Sequence, residues 1–257
     1  MSKVYQSKFY QGYLSLFSTA FKTIVRNLRS MKFEPEVGLL DRFVGLGDTC
    51  IDVGGAYGRY ALALSRLIGP KGKVYSFEPG AYSHRVFAII KWFHRLNNVL
   101  LNKIALSDRQ GEVQLCLPVK NTGKIGASLA YISNESPDGS VHEVVPMTTL
   151  DHFCEREHIT SVAFIKCDTE GAELLVFQGG RNIIESCRPS ILSEVDSGHM
   201  GRYGLSVADM ENFFIERGYA IFSLSQDHKS LKGRKHIQEN GNYFFVHQDK
   251  LVSLGQQ

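Results

Sequence analysis

After residue 48 the chain alternates short apolar runs with amphipathic stretches, and this pattern predicts the order of its strands and helices. Apolar runs of strand length occur near 49–53, 73–77, 98–104, 162–167, 189–195, 219–224 and 242–247. Apolar positions recur with helical spacing near 58–68, 82–95, 149–157, 172–186 and 206–217. Strands that alternate with helices in this way predict an α/β fold, with a mostly parallel sheet covered by helices on both faces.

Residues 1–40 follow a different pattern, which predicts an N-terminal helical extension ahead of a main domain over 41–257. Apolar side chains recur there at spacings of three and four residues: Tyr10, Leu14, Phe17, Phe21, Ile24 and Leu28. Six cations precede the first acid, Glu34. We favour a helix that packs on the domain or on a second subunit, because such stripes usually belong to a core. The alternative is a basic amphipathic helix that rests on an anionic membrane. Residues 10–30 would form a dimer contact if the helix packs on a second subunit, and a peripheral membrane contact in the alternative.

The segment 105–148 interrupts the alternation of strands and helices. Residues 113–117 alternate like a short strand, and a long polar stretch follows them. A loop of this length is either disordered or functional, and it follows a strand of the sheet. We therefore predict that this loop covers the carboxyl edge of the sheet as a lid. Residues 118–142 and 197–205 are then expected to determine which substrate binds there. By contrast, the apolar stripe that includes Trp92 predicts a buried tryptophan.

Composition narrows the classes of function and the compartment. A chain of 257 residues with a net charge of +3 suits one α/β domain with an extension. That charge is too small, and the basic residues too scattered, to indicate nucleic acid as a partner. The five cysteines form no C-x-x-C pair and are expected to be reduced thiols. Because neither a membrane-spanning run nor a signal-peptide core is visible, we expect a cytoplasmic protein, with peripheral membrane contact as the alternative.

A glycine-rich turn between the first strand and the first helix carries the strongest chemical signal. The turn reads Asp52-Val53-Gly54-Gly55-Ala56-Tyr57-Gly58, and Glu78 ends the second apolar run twenty residues after it. Glycines let backbone N–H groups approach a ligand, and an acid at the end of the second strand suits a ribose diol. A strand, glycine turn, helix, strand and acid in this order predict a nucleotide-binding βαβ unit.

The spacing of the glycines and the charge of Asp52 indicate which nucleotide binds. A pyrophosphate-binding turn reads G-x-G-x-x-G, whereas this chain has G-G-x-x-G with an acid just before it. A carboxylate there would repel a pyrophosphate and attract an ammonium group. S-adenosylmethionine, which has an ammonium, a sulfonium and a ribose, therefore fits better than NAD. The alternatives are an NAD(P)-dependent oxidoreductase and a non-catalytic scaffold domain that binds the cofactor.

Several motifs in order along the chain resemble the FkbM family of S-adenosylmethionine-dependent methyltransferases. They are the glycine-rich turn with Arg59-Tyr60, then Glu78-Pro79, Ala105-Leu106-Ser107-Asp108, Gly126-Ala127-Ser128-Leu129, Thr149-Leu150-Asp151 and Ile165-Lys166-Cys167-Asp168-Thr169-Glu170-Gly171-Ala172-Glu173. The last motif is the most specific. Gly55 departs from the alanine common in the family.

The resemblance implies a Rossmann-like, seven-stranded methyltransferase fold with one antiparallel strand. It also implies that S-adenosylmethionine is the donor and S-adenosylhomocysteine the product. The expected cofactor-binding residues are Asp52, Gly54, Gly55, Tyr57, Gly58, Glu78, Pro79, Ser107, Asp108 and Asp168. Among them Asp52, Gly54 and Gly58 would hold the methionine part, Glu78 the ribose and Asp108 the adenine. The acceptors implied by the family are hydroxyl groups on sugars, glycolipids or polyketides, so we expect a small-molecule or glycan acceptor.

Methyl transfer to a sugar hydroxyl calls for a base, because a hydroxyl is a poor nucleophile at neutral pH. The candidates are Asp168, Glu170 and Glu194 at predicted strand ends and His142 beside the lid. Asp168 and Glu194 together could also bind Mg²⁺, which would lower the pKa of a bound hydroxyl. We do not favour this alternative, since carboxylate pairs often hold no metal, and no residue is assigned as a metal ligand.

Overall fold

The computed structural model describes residues 15–26, 34–117, 131–132 and 141–251. The helices are α1 (residues 15–26), α2 (Arg59–Ile68), α3 (Ala81–Phe93), α4 (Leu150–Arg156), α5 (Glu173–Gln178), α6 (Arg181–Cys187), α7 (Ser197–Gly201) and α8 (Val207–Ile215). The strands are β1 (Thr49–Val53), β2 (Lys73–Phe77), β3 (Val99–Asn102), β4 (Ala105–Leu106), β5 (Gly111–Leu117), β6 (Tyr131–Ile132), β7 (Val141–Thr148), β8 (Phe164–Cys167), β9 (Ser190–Val195), β10 (Tyr219–Leu224), β11 (Leu231–Arg234) and β12 (Gly241–His247). Short 3-10 helices occur at Pro35–Arg42 and Gln248–Lys250, so the boundary predicted at residue 40 falls inside the first of them.

The main sheet confirms the predicted α/β class with a mostly parallel centre. Its strand order is β11-β10-β12-β9-β8-β1-β2-β3, and the five strands from β9 to β3 run parallel. The sheet has eight strands rather than the expected seven. The additional strand, β11, pairs antiparallel with β10, and β12 runs antiparallel between β10 and β9. Two strands therefore run against the others, where the family resemblance implied one.

Each face of the sheet buries its own apolar cluster, because alternate residues of β1 point to opposite faces. Ile51 and Val53 join a cluster that contains Phe153, Phe177 and Phe214 from the helices of one face. Cys50 points to the other face, into a cluster that contains side chains of α2, α3 and the first 3-10 helix. Asp52 has the parity of Cys50, so its carboxylate enters the α2 and α3 side of the sheet.

Part of the segment predicted as a polar lid forms a second, smaller sheet. Its strand order is β4-β7-β5-β6, with β5 antiparallel to both β7 and β6. β4 pairs parallel with β7 and follows β3 of the main sheet after two residues, so the small sheet is joined to the edge of the large one. The remainder of the predicted lid, residues 118–130 and 133–140, lies outside the described residues.

The single helix predicted over 172–186 is wrong, because Gly179 and Gly180 divide it into α5 and α6. A Cβ on Gly179 would lie 2.0 Å from the carbonyl oxygen of Ser107. The glycine therefore allows the loop after β4 to pack at the break. Asp151 then accepts hydrogen bonds at 2.9 Å from two backbone N–H groups in the first turn of α6, which fixes the start of the second helix.

Helix α1 packs on α3 through a face that shares Ile24 with the predicted stripe but not Phe17 or Phe21. Leu16, Ala20 and Ile24 are buried against α3, whereas Phe17 and Phe21 are exposed. The other members of the predicted stripe, Tyr10, Leu14 and Leu28, lie outside the described residues.

The buried tryptophan predicted from the apolar stripe of α3 is also wrong. Trp92 is 79% exposed at the end of this helix. Among the described residues, no helix combines the length and the apolar character needed to cross a membrane.

Candidate active site

A cleft lies at the carboxyl ends of β1, β2 and β8, where a parallel sheet of this kind binds its ligands. Its lining residues are Val53, Gly54, Ala56, Phe77, Glu78, Pro79, Ile104, Ala105, Leu106, Leu115, Asp168, Thr169 and Glu170. Side chains of β4 and β5 form an apolar wall opposite three carboxylates. No cationic side chain is among these described lining residues.

Gly54 lines the cleft at the point where the turn after β1 contacts the backbone at the end of β8. Its φ of +75° is unfavourable for residues with a Cβ, and a Cβ here would lie 1.7 Å from the carbonyl oxygen of Asp168. The N–H of Asp168 donates to the carbonyl of Val53 at 3.1 Å. Gly54 therefore lets the turn after β1 lie directly against the residue that ends β8.

Glu78 presents a carboxylate in fixed orientation to the cleft. The side chain is 6% exposed and accepts hydrogen bonds from the N–H of Ala56 at 2.8 Å and of Gly80 at 2.9 Å, one on each oxygen. Burial raises the pKa of Glu78 to about 8, although these two hydrogen bonds oppose the rise. Each oxygen retains acceptor capacity toward the cleft, which suits a ligand with two adjacent hydroxyl groups.

Asp52 lies beneath the glycine-rich turn and is not among the cleft-lining residues. The side chain is 2% exposed, and its carboxylate accepts a hydrogen bond from the hydroxyl of Ser76 at 2.7 Å. Ser76 and Lys166 are its register partners on the two neighbouring strands. Burial raises the pKa of Asp52 to about 6, against the effects of Ser76 and Lys166. Asp52 is therefore a buried acid of the sheet rather than part of the described lining of the cleft.

Lys166 is a buried cation to which the sequence analysis gave no role. It is 2% exposed, and its Nζ lies 3.2 Å from Oδ2 of Asp168 and 5.0 Å from the ring centre of Tyr60. Burial pulls the pKa of Lys166 down, but Asp168 and several smaller effects, Asp52 among them, outweigh it and leave the pKa raised. The charged ammonium therefore lies between two acids of the site. A lysine inside the otherwise apolar strand β8 was the signal in the sequence.

Three carboxylates converge where β8 and β9 end. Oxygen atoms of Asp168, Glu173 and Glu194 all lie within 4.8 Å of one another. Burial raises the pKa of Glu194 to about 8, and the nearby Asp168 and Glu173 add to the rise. One oxygen of Glu173 accepts from the N–H of Thr169 at 2.6 Å, while the other is buried with no hydrogen-bond partner among the described residues. The repulsion among these three carboxylates would be reduced if they bound a divalent cation or if one of them were protonated.

Glu170 and His199 connect this acidic cluster with α7. Nδ1 of His199 lies 3.3 Å from Oε2 of Glu170, and Glu170 lines the cleft. Burial and Asp168 raise the pKa of Glu170, whereas His199 lowers it. Gly171 makes the approach of α7 possible, because its φ is +108° and a Cβ would lie 2.4 Å from the backbone of His199.

The structure brings some of the residues expected from sequence into the cleft and leaves others outside its described lining. Gly54, Glu78, Pro79, Asp168 and Glu170 line it, and Glu194 lies beside Asp168. The expected residues outside the lining are Asp52, Gly55, Tyr57, Gly58, Ser107, Asp108 and His142.

Most of these residues have other neighbours. The carboxylate of Asp108 lies 3.5 Å from Arg109 and accepts from the hydroxyl of Ser107. His142 is on β7 of the small sheet, in register with Cys116. The strand predicted over 113–117 is confirmed as β5, but the sequence did not predict its pairing into a second sheet or its place in the apolar wall of the cleft.

The fold and the cleft define a Rossmann-like α/β domain whose cleft lies at the carboxyl edge of its sheet. A family model described as the methyltransferase FkbM domain matches residues 52–221, about two thirds of the chain. The chain therefore belongs to the FkbM methyltransferase domain family. No curated protein matches the sequence.

Two solved methyltransferases align with this chain at low sequence identity. The methyltransferase FkbM of Methylobacillus flagellatus KT aligns with a TM-score of 0.51 and 14% identity over 77% of this chain. The aligned part is 43% of that protein, so this chain spans less than half of its length. The O-methyltransferase of Bacillus cereus, solved in complex with SAH, aligns with a TM-score of 0.49 and 13% identity over 91% of each chain.

Proposed function

We propose that this protein transfers the methyl group of S-adenosylmethionine to a hydroxyl group of a small-molecule or glycan acceptor. One observation carries the choice of cofactor: the described lining of the cleft has three carboxylates and no cationic side chain. A dinucleotide would bring its pyrophosphate toward these acids. S-adenosylmethionine brings two positive groups and a ribose, so its charge complements the cleft.

The residues of the cleft fit the parts of this cofactor. Glu78 is fixed by two backbone N–H groups and would accept hydrogen bonds from the ribose hydroxyls. The turn at Gly54 offers backbone to the methionine part, and Asp168 lies directly against that turn. The apolar residues of β4 and β5 would cover the adenine and exclude water from it.

The acidic cluster supplies a base for the acceptor hydroxyl. In the reaction the acceptor oxygen bonds to the methyl carbon while the bond from that carbon to sulfur breaks, and the sulfonium becomes a neutral thioether. The hydroxyl proton passes to a carboxylate, and Glu194 is the best candidate because burial raises its pKa to about 8. Glu170 is the alternative, since it lines the cleft itself. A pKa near the operating pH favours proton transfer in both directions.

The first experiment is calorimetric titration of the purified chain with S-adenosylhomocysteine and, separately, with NADH. Micromolar binding of the first alone supports the proposal, whereas binding of NADH alone favours the oxidoreductase. Product formation is then followed with methyl-labelled donor on hydroxylated sugars and glycolipids. Glu194→Gln should bind S-adenosylhomocysteine with unchanged affinity and lose at least about 100-fold in turnover. Glu239→Gln, which removes an exposed carboxylate just before β12, is the control variant.

The outcomes distinguish the remaining alternatives. A scaffold domain would bind the cofactor, lose binding in Glu78→Ala, and release no product with any acceptor. Divalent cations are tested by dialysis against EDTA: unchanged turnover argues against Mg²⁺ on Asp168, Glu173 and Glu194. Loss of turnover that Mg²⁺ restores would instead assign these three carboxylates to the ion.

A further inference from the structure

Four exposed aromatic side chains are concentrated on two helices that pack on each other. Among the large apolar side chains exposed in the described residues, the aromatic ones are Phe17 and Phe21 on α1 and Trp92 and Phe93 on α3. Phe17, Phe21 and Trp92 are 58%, 66% and 79% exposed. Aromatic rings left in water at this density mark an interaction surface rather than random surface composition.

The two helices form one unit through their buried faces. Leu16, Ala20 and Ile24 of α1 pack against Val86 and Ile90 of α3 in a separate apolar cluster. Hydrogen bonds between the hydroxyls of Thr19 and Tyr82, at 2.9 Å, and of Ser15 and Tyr82, at 3.1 Å, add a polar contact. The apolar residues that stabilise α1 on the domain are thus different from the aromatic residues that it exposes.

The charged side chains that these two helices carry have one sign. Residues 15–26 and 81–93 contain Lys22, Arg26, Arg85 and Lys91 and no acid. From residue 59 to residue 103 the chain has eight lysines and arginines and a single acid, Glu78, which is buried in the cleft. Two of the eight, Arg59 and Lys103, pair with Glu34 and Glu143 from outside this segment. Because the net charge of the whole chain is only +3, the basic character is concentrated in this region.

We propose that α1 and α3 together dock the protein on an anionic lipid membrane. Exposed aromatic rings with interspersed lysine and arginine are what an interfacial helix needs: the rings enter the headgroup region and the cations attract anionic lipids. A second copy of the chain fits less well, since the contact would bring two regions of the same charge together. Nucleic acid fits less well because phenylalanine side chains at 58% and 66% exposure on a convex helix offer no groove for bases.

Helix α3 connects the proposed docking surface with the cleft. Helix α3 starts at Ala81, three residues after Glu78, and the N–H of Ala81 donates to Glu143 of β7 at 2.8 Å. The helix has 13 residues, which is roughly 20 Å of length. Trp92, at the other end of the helix, therefore lies about one helix length from the cleft. Membrane binding itself does not depend on the proposed reaction, so its test can fail or succeed separately.

Trp92 is the only tryptophan of the chain, which makes its fluorescence a direct reporter of this surface. The full-length chain is mixed with phosphatidylcholine vesicles, with or without about one third phosphatidylglycerol. We expect a blue shift of the emission and co-sedimentation with the anionic vesicles alone, both reversed at about 0.5 M salt. Brominated lipids should quench the emission, because the ring would lie at the depth of the upper acyl chain.

Charge-neutralising variants that retain the reporter test the assignment to these helices. Each lysine or arginine near an anionic surface contributes about 1 kcal/mol, a factor of about five in partitioning. Lys22→Gln combined with Arg85→Gln should therefore weaken vesicle binding about 25-fold. Lys232→Gln combined with Lys235→Gln, on and after β11, removes the same charge elsewhere and should leave binding unchanged.

Several results would overturn the proposal. These are an emission maximum that anionic vesicles do not move, equal binding to neutral vesicles, and equal weakening by both pairs of substitutions. A shift caused by single-stranded RNA but not by vesicles would assign the surface to nucleic acid. A shift that depends on protein concentration alone, with a dimer in sedimentation velocity, would assign it to a second copy.

Discussion

The affinity for the cofactor should depend steeply on pH through Glu78. Burial raises the pKa of this carboxyl to about 8 in the free protein, from an ordinary value of 4.5. A ribose that donates two hydrogen bonds favours the ionised form, so binding should release a proton. At pH 6 about 1% of the protein then has an ionised Glu78, and at pH 8 about half. We therefore expect the affinity for S-adenosylhomocysteine to rise about 50-fold between pH 6 and pH 8, and to level off above it.

The same shift predicts the pH dependence of stability without ligand. The folded state holds the Glu78 proton more tightly than the unfolded state, because its pKa is raised. The contribution of this group to stability is therefore greatest below the unfolded pKa, near 4.5, and declines as the pH rises through about 8. The midpoint temperature of thermal unfolding of the free protein should fall over this pH range, and the increase in that temperature caused by S-adenosylhomocysteine should grow.

Calorimetry in two buffers of different ionisation enthalpy checks the prediction, because the difference in apparent enthalpy gives the number of protons released. Glu78→Gln is the control: it keeps the shape but cannot ionise, and its amide would face one of two backbone N–H donors. Binding should weaken by about 1–3 kcal/mol and lose its slope between pH 6 and pH 8. Flat affinity in the parent protein, or an unchanged slope in the variant, would refute the reasoning. A residual slope near pH 6 would point to Asp52, whose pKa burial raises to about 6.

Three further substitutions probe the architecture that supports the site. Gly54→Ala should cost at least about 3 kcal/mol in urea unfolding, since its Cβ would lie 1.7 Å from the carbonyl oxygen of Asp168; Gly38→Ala, with no atom within 4 Å, should cost far less. Lys166→Met should cost about 1–2 kcal/mol and raise KM for the donor, because Asp168 loses its buried partner; an unchanged KM would show that the pair is only structural. Phe214→Ala should cost about 3–5 kcal/mol, as its ring is fully buried, and a smaller loss would mean that this core relaxes around the cavity.

The strands of the main sheet were predictable because their signals are local. β1, β2 and β10 begin and end where the apolar runs do, at 49–53, 73–77 and 219–224. The glycine-rich turn and the acid after β2 were equally visible, since their meaning depends on spacing along one βαβ unit. The short strands β4 and β6 have two residues each, which is too few for a period to register.

Other features could not be predicted because they depend on contacts between parts of the chain that are distant in sequence. The register that aligns Asp52 with Lys166 joins strands far apart in sequence, so the pair could not be derived from either motif. The exposure of Trp92 contradicts its apolar stripe, because an apolar pattern gives only the tendency of a residue to be buried. The break at Gly179 and Gly180 had a visible signal, and helical periodicity on both sides concealed it.

The attachment of the small sheet has a consequence for how this protein can diversify. β4 enters the insertion and β7 leaves it side by side, with Leu106 in register with Thr148 and the N–H of Ser107 bonded to the carbonyl of Thr148 at 3.0 Å. The pairing of β4 with β7 therefore holds the two ends of the insertion together, independently of the residues between them. Lengthening the enclosed segment costs only about 0.6 kcal/mol for each doubling of its length. The enclosed segment can therefore change in length at little cost in stability, while Glu78 and the strands around it stay in place.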